Sequence, residues 1–375
     1  MEWKALGEAT IMKRGTSATK GIMPEGNIPV ISGGRQPAYY CNISNRTGEV
    51  ITVAGSGAGA GYVQYWNEPI FVCDAFSIQG NETLKTKYVY YVLTSIQEKI
   101  YSTKKVGGVP HVHISSIEKF EIPVPPLPVQ EEIVRILDNF TELQAELQAE
   151  LQKRKLQYNY YLDNLLNFNR GGYQAEVRWM KLGEVCEFRN GFAFKSNLFK
   201  NDGCPIIRIT NISGQGVIME DVKYFHMEDY PKTKMTLFEV SNGDILVAMS
   251  GATTGKIGIY KEDVTAYLNQ RTGKFVPKPQ LNNRFLYYFL LTKVNEMYRM
   301  SGGGAQPNLS SVDLKSKILI PLTSLAEQQK IVSILDCFDR LTTDLTQGLP
   351  AEIEKRRQQY EYYRDKLLTF KRKAA

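Results

Sequence analysis

Basic and amide side chains accompany glycine-containing turns in both halves of the chain. Lys13 and Arg14 precede one such turn, and the glycine-rich loops 55–61 and 249–255 each follow an apolar run typical of a strand. Arginine can grip guanine and glutamine or asparagine can grip adenine, whereas lysine mostly holds phosphate. The alternative for any single basic residue is a solvated surface charge. The candidate contacts to a polyanion are Lys13, Arg14, Lys20, Arg35, Ser56, Lys104 and Lys105, then Lys195, Arg208, Lys256, Gln270, Arg271, Arg299, Gln306 and Asn308.

The composition narrows the chemistry further. The formal net charge of +7 is compatible with a polyanionic partner without being diagnostic of one. The three histidines, His111, His113 and His226, offer neither a histidine-rich metal site nor a credible nucleophile with its base, and no methyltransferase, helicase or nuclease motif occurs. Five scattered cysteines favour free thiols in a reducing cytosol, and no run approaches the ~18 apolar residues of a membrane span.

The loop 55–61 invites comparison with a nucleotide-binding loop. Phosphate cradling requires a helix directly behind the glycines, and the run 62–66 looks like a strand instead. A glycine turn that lets the backbone approach a ligand such as DNA fits this pattern better. A plain hairpin turn without a ligand remains the alternative.

The elements around these loops occur twice in the same order. A Trp-x-x-Leu-Gly-Glu opening recurs at Trp3 and Trp179, and each copy leads through a basic turn to a strand, at 28–31 and 205–209. Each half then continues with the glycine loop, a further strand, tyrosine-rich short helices, another glycine-containing loop and a strand that ends in proline. The tyrosine-rich helices are predicted at 87–101 and 284–300. The chain is therefore an internal tandem duplication.

A long amphipathic helix follows each half. Gln130 to Phe140 and Gln328 to Phe338 are near-identical in pattern, and apolar residues at spacings of 3, 4 and 7 predict one uninterrupted helix over 129–168. Forty residues give a rod of about 60 Å, which we interpret as a spacer between two domains. A coiled coil that only dimerises the chain is the alternative. In the second copy, Gly348-Leu349-Pro350 predicts a break.

These helical signatures resemble one known family. The run Ile-Pro-x-Pro-Pro-Leu from Ile122, the Gln-Glu-Glu-Ile-Val-x-Ile-Leu-Asp stretch from Gln130, and the Lys-Arg-Arg ending with its Tyr-x-Tyr-Tyr from Lys355 are similar to those of the specificity (S) subunit of type I restriction–modification systems. The resemblance covers essentially the whole chain. It implies an α+β fold in which two similar target recognition domains are joined by two long antiparallel helices with internal pseudo-two-fold symmetry. The implied boundaries are 1–126 and 171–322 for the recognition domains, and 127–170 and 323–375 for the helical regions.

The resemblance also implies a function. The subunit would read a bipartite asymmetric site in double-stranded DNA in the cytoplasm, would be non-catalytic, and would bind no cofactor itself. Two methylation (M) subunits would bring S-adenosylmethionine, and restriction (R) subunits would bring ATP and Mg²⁺. By the same likeness the helices would contact the M subunits, through Leu143, Leu147, Tyr158, Tyr161, Tyr360 and Tyr363. The alternatives are a non-catalytic scaffold whose two β-rich domains bind protein or carbohydrate, and a one-chain nuclease or methyltransferase.

Overall fold

The computed structural model describes residues 2–105, 108–168, 177–214, 216–302 and 307–371. The chain divides into two compact units, the first formed by residues up to Glu150 together with those from Ala351 onward, and the second by Leu151–Pro350. The elements of the chain up to the first long helix are β1 (Glu2–Ala5), α1 (Leu6–Ala9), β2 (Ile11–Arg14), β3 (Ile28–Ile31), β4 (Tyr39–Cys41), β5 (Val50–Ala54), β6 (Val63–Trp66), β7 (Phe71–Val72), β8 (Ala75–Gln79), α2 (Thr86–Ser95), α3 (Gln97–Tyr101), α4 (Ile114–Ile117), β9 (Glu121–Val124) and α5 (Leu127–Leu165).

The first unit contains two small sheets and a ribbon. The four-stranded sheet has the order β2-β8-β5-β6 with antiparallel neighbours, and β4-β3-β7 form a three-stranded sheet in which β3 and β7 run parallel. Strands β1 and β9 pair antiparallel beside them. Helix α2 packs its tyrosines and valines against β5 and β6, so the buried core lies between the four-stranded sheet and the helices.

The second unit repeats this topology. Its four-stranded sheet has the order β11-β18-β15-β16, and its other sheet, β13-β12-β17-β14, keeps one parallel pair and gains one strand. The elements are β10 (Arg178–Lys181), α6 (Leu182–Val185), β11 (Cys186–Asn190), β12 (Cys204–Ile207), β13 (Lys223–Phe225), β14 (Glu239–Val240), β15 (Ile245–Ala248), β16 (Ile257–Ile259), β17 (Ala266–Leu268), β18 (Thr272–Pro277), α7 (Asn283–Thr292), α8 (Val294–Met300), α9 (Ser311–Lys317), β19 (Leu319–Leu322), α10 (Leu325–Thr343) and α11 (Leu349–Leu368).

The duplication predicted from the sequence is therefore present in the strand order itself. Two local predictions differ from the structure. The tyrosine-rich segments each form two helices, α2 with α3 and α7 with α8, rather than one. Strand β12 ends at Ile207, because Asn211 accepts a hydrogen bond from the backbone N–H of Arg208 (3.0 Å) and bends the chain into a 3₁₀ turn.

The long helix α5 is continuous over 39 residues, as the periodicity predicts. Its N-terminal half buries Ile133 and Leu137 in the core of the first unit. Its C-terminal half packs Tyr158, Tyr161 and Leu162 against the core of the second unit, where Leu166 is buried. One helix therefore contributes to two hydrophobic cores, and this explains why its apolar residues continue over so many turns.

The second helical region is broken where the sequence predicts. Helix α10 ends at Thr343 and α11 begins at Leu349, next to the predicted Gly-Leu-Pro break. Gly348 donates its N–H to the carbonyl oxygen of Asp344 (3.1 Å), and a Cβ at this position would lie 2.5 Å from the carbonyl oxygen of Arg340. The turn therefore requires a residue without a side chain.

Candidate nucleic-acid interface

The glycine loop of the first unit, residues 55–61, connects β5 to β6. Because a strand follows the glycines instead of a helix, the loop lacks the geometry of a phosphate-binding loop. The Gly57 N–H donates to the carbonyl oxygen of Pro110 (3.0 Å), and the Val112 N–H donates to that of Gly55 (3.0 Å). The loop 108–113 is thereby held directly against the glycine loop.

A polar cleft of about 220 Å³ opens beside these two loops. Arg14, from the end of β2, lines it together with Asp74, His111 and His113. The two imidazole rings stack in parallel with their centroids 6.0 Å apart, and the Asp74 carboxylate accepts a hydrogen bond from the Ser56 hydroxyl. Arg14 lines the cleft without a carboxylate within 4 Å, as far as the described residues show. The cleft thus offers a cation and several hydrogen-bonding groups to a ligand.

Other candidates of the first unit border the same loops. The Arg35 guanidinium lies 4.9 Å from the centroid of the Tyr62 ring, directly behind the glycine loop. The Lys105 N–H donates to the carbonyl oxygen of His111 (3.2 Å), and the Lys104 ammonium lies over Tyr101 at 4.0 Å. Lys13 and Lys20 are exposed on β2 and on the loop before β3, and no contact in the described structure connects them to the glycine loop. The structure therefore brings together Arg14, Arg35, Ser56, Lys104 and Lys105 and leaves the other two apart.

The glycine loop of the second unit has the same surroundings. The Gly251 N–H donates to the carbonyl oxygen of Pro307 (3.2 Å), and the Leu309 N–H donates to that of Met249 (2.7 Å). The Met249 N–H in turn donates to the carbonyl oxygen of Arg271 (2.9 Å). This network brings the candidates Lys256, Gln270, Arg271 and Asn308 to one edge of the sheet, where Gln270, Arg271 and Asn308 are exposed.

Arg208 also borders this loop but is held by its own unit. Its guanidinium donates to the backbone oxygen of Asp221 (2.9 Å) and lies 3.5 Å from the carboxylate of the same residue. Hydrogen bonding from Lys223, with the charge of Arg208 in addition, lowers the pKa of the Asp221 carboxyl. The Arg208 Nε is buried without a hydrogen-bond partner among the described atoms. Arg208 therefore stabilises the loop through its contacts with Asp221.

The remaining candidates lie elsewhere or outside the described residues. Lys195 is exposed beyond β11, where its N–H donates to the Tyr230 hydroxyl (2.9 Å). Arg299 is exposed in the last turn of α8, and Ser301 just beyond it accepts the Asn308 N–H (3.3 Å). Gln306 lies outside the described residues.

Sequence reasoning missed the role of two repeated glutamines. The Gln130 side chain is fully buried, accepts the Lys85 N–H (2.9 Å), and donates to the carbonyl oxygens of Thr83 (2.9 Å) and Pro125 (2.7 Å). In the second unit Gln328 makes the same three bonds, to Asn282, Gln280 and Thr323. Each glutamine therefore ties the start of a long helix to the segment before α2 or α7.

Two repeated aspartates have a similar anchoring role. Asp138 accepts from the Tyr91 hydroxyl and pairs with Lys87 at 2.8 Å. Asp336 accepts from the Tyr288 hydroxyl (2.6 Å) and from Arg284. The signal for these anchors was the repeated stretch itself, in which a polar residue recurs eight positions after each glutamine.

The helix residues expected to contact M subunits fall into two groups. Leu143 and Tyr363 are 44% and 41% exposed, and Leu147 is half-buried. Tyr158, Tyr161 and Tyr360 pack against the cores of their own units, and burial raises the pKa of the Tyr158 and Tyr360 hydroxyls. The side chains that face solvent are the neighbouring tyrosines instead, Tyr160 at 64% and Tyr362 at 59% exposure.

The described residues also lack two other features, a metal-ligand cluster and a membrane-spanning helix. They contain no group of three or more histidine, cysteine, aspartate or glutamate side chains placed to hold a metal ion. Among the helices described, none combines the length and the apolar composition that crossing a membrane requires.

The two β-rich units share one order of strands in the four-stranded sheet, and each carries cations and hydrogen-bonding side chains beside its glycine loop. This is the architecture expected of a modular DNA-binding protein. A family profile described as the type I restriction modification DNA specificity domain matches residues 2–154 and 175–355. The chain is 31% identical to the EcoR124I/EcoR124II specificity subunit of Escherichia coli, over 99% of this chain and 94% of the relative. It is 30% identical to a putative type I specificity subunit of Haemophilus influenzae, over 99% of this chain and 96% of that one.

A solved structure supports the same fold. The crystal structure of a type I S subunit from M. genitalium has a TM-score of 0.65 with 18% identity, over 99% of this chain and 96% of the other. The chain therefore belongs to the family of type I restriction–modification specificity (S) subunits, also called HsdS. It is the DNA specificity subunit of such a system, has the α+β fold of that family, and is a non-catalytic part of a restriction complex that acts on DNA.

Proposed function

We propose that each unit reads one half of a bipartite, asymmetric DNA site with the loops at the edge of its four-stranded sheet. The observation that carries this proposal is the surface around each glycine loop, where Arg14, Arg35 and Lys105 in one unit and Lys256 and Arg271 in the other lack a carboxylate partner within 4 Å among the described residues. Cations without a carboxylate partner can contact the phosphates of DNA, and they can contact base edges where the glycine loop lets the protein backbone come close to the duplex. The assignment of the candidate residues as DNA contacts is part of this proposal. We also propose that the protein acts in the cytoplasm, where the DNA lies.

The test uses single substitutions in the two units. Arg14→Ala is expected to weaken binding only to DNA that contains the first half-site, and Arg271→Ala or Arg208→Ala only to DNA that contains the second. Each duplex carries one intact and one scrambled half-site, and affinity is measured at several salt concentrations because phosphate contacts make binding salt-dependent. Lys119→Ala, which removes an exposed lysine from the turn before β9, is the charge-matched control.

The pattern of loss decides the outcome. A loss that is equal for all sequences would assign the arginine to phosphate, and binding without any bipartite preference would contradict the proposed function.

The helices are proposed to recruit the methylation subunits. Leu143, Leu147, Tyr158, Tyr161, Tyr360 and Tyr363 lie on α5 and α11, and the exposed Tyr160 and Tyr362 extend this set. Tyr160 also lines a cavity of about 550 Å³ with Trp179 and Lys293, large enough for side chains of a partner. Exposed aromatic side chains beside such a cavity are typical anchors of protein interfaces.

Copurification of tagged S chain with coexpressed M subunit tests this interface. Tyr160→Ala and Tyr362→Ala are expected to reduce the M subunit recovered per S chain. Tyr40→Ala removes an exposed tyrosine from β4 and is the matched control. Equal recovery from all three variants would contradict the interface. The M subunits would supply S-adenosylmethionine and methylate adenine, and R subunits would supply ATP and Mg²⁺ chemistry, so this chain would bind none of these cofactors.

A further inference from the structure

The two glycine loops share one backbone frame. Gly57 and Gly251 have φ values of 77° and 76°, and Gly61 and Gly255 have φ values of 82° and 81°. Only glycine adopts such values without strain. The N–H of Gly61 donates to Ala54 and that of Gly255 to Ala248, each at 2.8 Å. Equivalent positions in the two units can therefore be identified from hydrogen bonds instead of from sequence similarity.

Three side-chain positions surround this frame. The first is occupied by serine in both units, Ser56 and Ser250. The second position is defined by a backbone hydrogen bond from the residue that precedes the serine. The Gly55 N–H donates to the carbonyl oxygen of Asp74 (3.1 Å) in the first unit, and the Met249 N–H donates to that of Arg271 (2.9 Å) in the second. Cys73 and Asn269 are equivalent, because their N–H groups donate to the last residues of β3 and β12, Ile31 and Ile207. One residue, Asp74, separates Cys73 from β8, whereas two residues, Gln270 and Arg271, separate Asn269 from β18. Gln270 is therefore an additional residue in the second unit.

The third position is set by a bridge to the serine. Ser56 forms an isolated antiparallel bridge with His111, and Ser250 forms the same bridge with Asn308. His111 and Asn308 are both exposed, as are Asp74 and Arg271. The frame therefore holds a constant serine and presents different groups beside it: a carboxylate and an imidazole in one unit, a guanidinium and a carboxamide in the other.

This difference matches the chemistry of base edges. A carboxylate repels phosphate, so Asp74 in a DNA interface can only accept hydrogen bonds from the exocyclic amino group of a base, for which cytosine N4 is the usual partner. The Ser56 hydroxyl occupies one acceptor site of the carboxylate, which has about four. Arginine pairs with guanine O6 and N7, and asparagine with adenine N6 and N7.

We propose that the second and third positions of this frame are the base-reading positions of each unit. Asp74 and His111 read the first half-site, with Asp74 accepting from a cytosine amino group in the major groove. Arg271 and Asn308 read the second half-site, with Arg271 gripping a guanine and Asn308 an adenine. This assignment rests on the proposed DNA-reading function. It adds which residues discriminate between bases and which base Asp74, Arg271 and Asn308 each take.

The test is selection of binding sequences by the full chain with the subunits that copurify with it. Duplexes randomised across the site are bound, recovered and sequenced for wild type, Asp74→Asn and Arg271→Gln. The asparagine variant retains an oxygen that accepts from Ser56, and each substitution preserves approximate size. Each variant is expected to lose roughly 10–100-fold of discrimination at one base pair, within the first half-site for Asp74→Asn and within the second for Arg271→Gln.

The outcomes separate the inference from the function on which it rests. The inference is overturned if both variants keep the base preferences of the wild type, or if they bind every sequence equally more weakly. In either case, bipartite binding by the wild type would still uphold the proposed function. Absence of any bipartite preference in wild type would overturn both. Thermal melting of each variant identifies a failure to fold, and because the two positions lie in different units, Arg271→Gln tests the frame independently if Asp74→Asn does not fold.

Discussion

Replacing Gln130 with leucine is expected to destabilise the first unit, because the glutamine is completely buried and makes three hydrogen bonds to backbone groups. The bond to Pro125 is buried, and those to Lys85 and Thr83 are partly buried. Orphaning a buried group costs about 1–3 kcal/mol and losing a partly solvated bond about 0.5–1.5 kcal/mol, so the expected loss is about 3 kcal/mol. This corresponds to a roughly 100-fold larger unfolded fraction.

Urea unfolding measured by circular dichroism gives the free energy, and hydrogen exchange of the segment 83–85 locates the change. Gln148→Leu is the matched control, since this exposed glutamine lies on the same helix, α5. Gln328→Leu is expected to produce the same loss with faster exchange in the segment 280–282. If Gln130→Leu unfolds at the same urea concentration as Gln148→Leu, the glutamine does not anchor the helix and the reasoning is wrong.

Three further outcomes are expected. One additional Glu-Leu-Gln-Ala unit within 142–152 lengthens α5 by ~6 Å. The gap between methylated half-sites should therefore grow by one or two base pairs, at ~3.4 Å each. Methylome sequencing measures this gap, and an unchanged gap would refute a spacer role. Burial raises the pKa of the Cys186 thiol to about 12, so this thiol stays protonated at pH 8. Mass spectrometry after treatment with iodoacetamide should therefore find the exposed Cys337 alkylated and Cys186 unmodified. Equal labelling of the two cysteines would contradict the burial of Cys186. Gly348→Ala places a Cβ against the carbonyl oxygens that close the α10–α11 turn and should lower the melting temperature, whereas an unchanged value would show that the turn can relax.

The duplicated fold could be predicted because its signals are local. Periodic apolar residues specify α5 as one helix, and the Gly-Leu-Pro run specifies the break before α11, since glycine and proline act through the backbone of their own turn. The strand that follows each glycine loop was also predictable, because alternating apolar residues indicate a strand without any knowledge of its partners.

Positions that depend on distant segments could not be predicted in this way. The tyrosines near the end of α5 share one helical pattern, yet Tyr161 packs on Phe338 while Tyr160 faces solvent. The sequence-based domain boundaries at 126, 170 and 322 stay a prediction. They assign all of α5 to one helical region, whereas the structure shares this helix between two cores.

The sequence by itself determined the duplicated elements, the long helix and the family, since each follows from residue type and spacing along the chain. Only the tertiary structure placed Asp74 and His111 beside Ser56, and Arg271 and Asn308 beside Ser250. These neighbours come from loops far apart in sequence, and their approach depends on backbone hydrogen bonds between strands, which leave no pattern in the order of the residues.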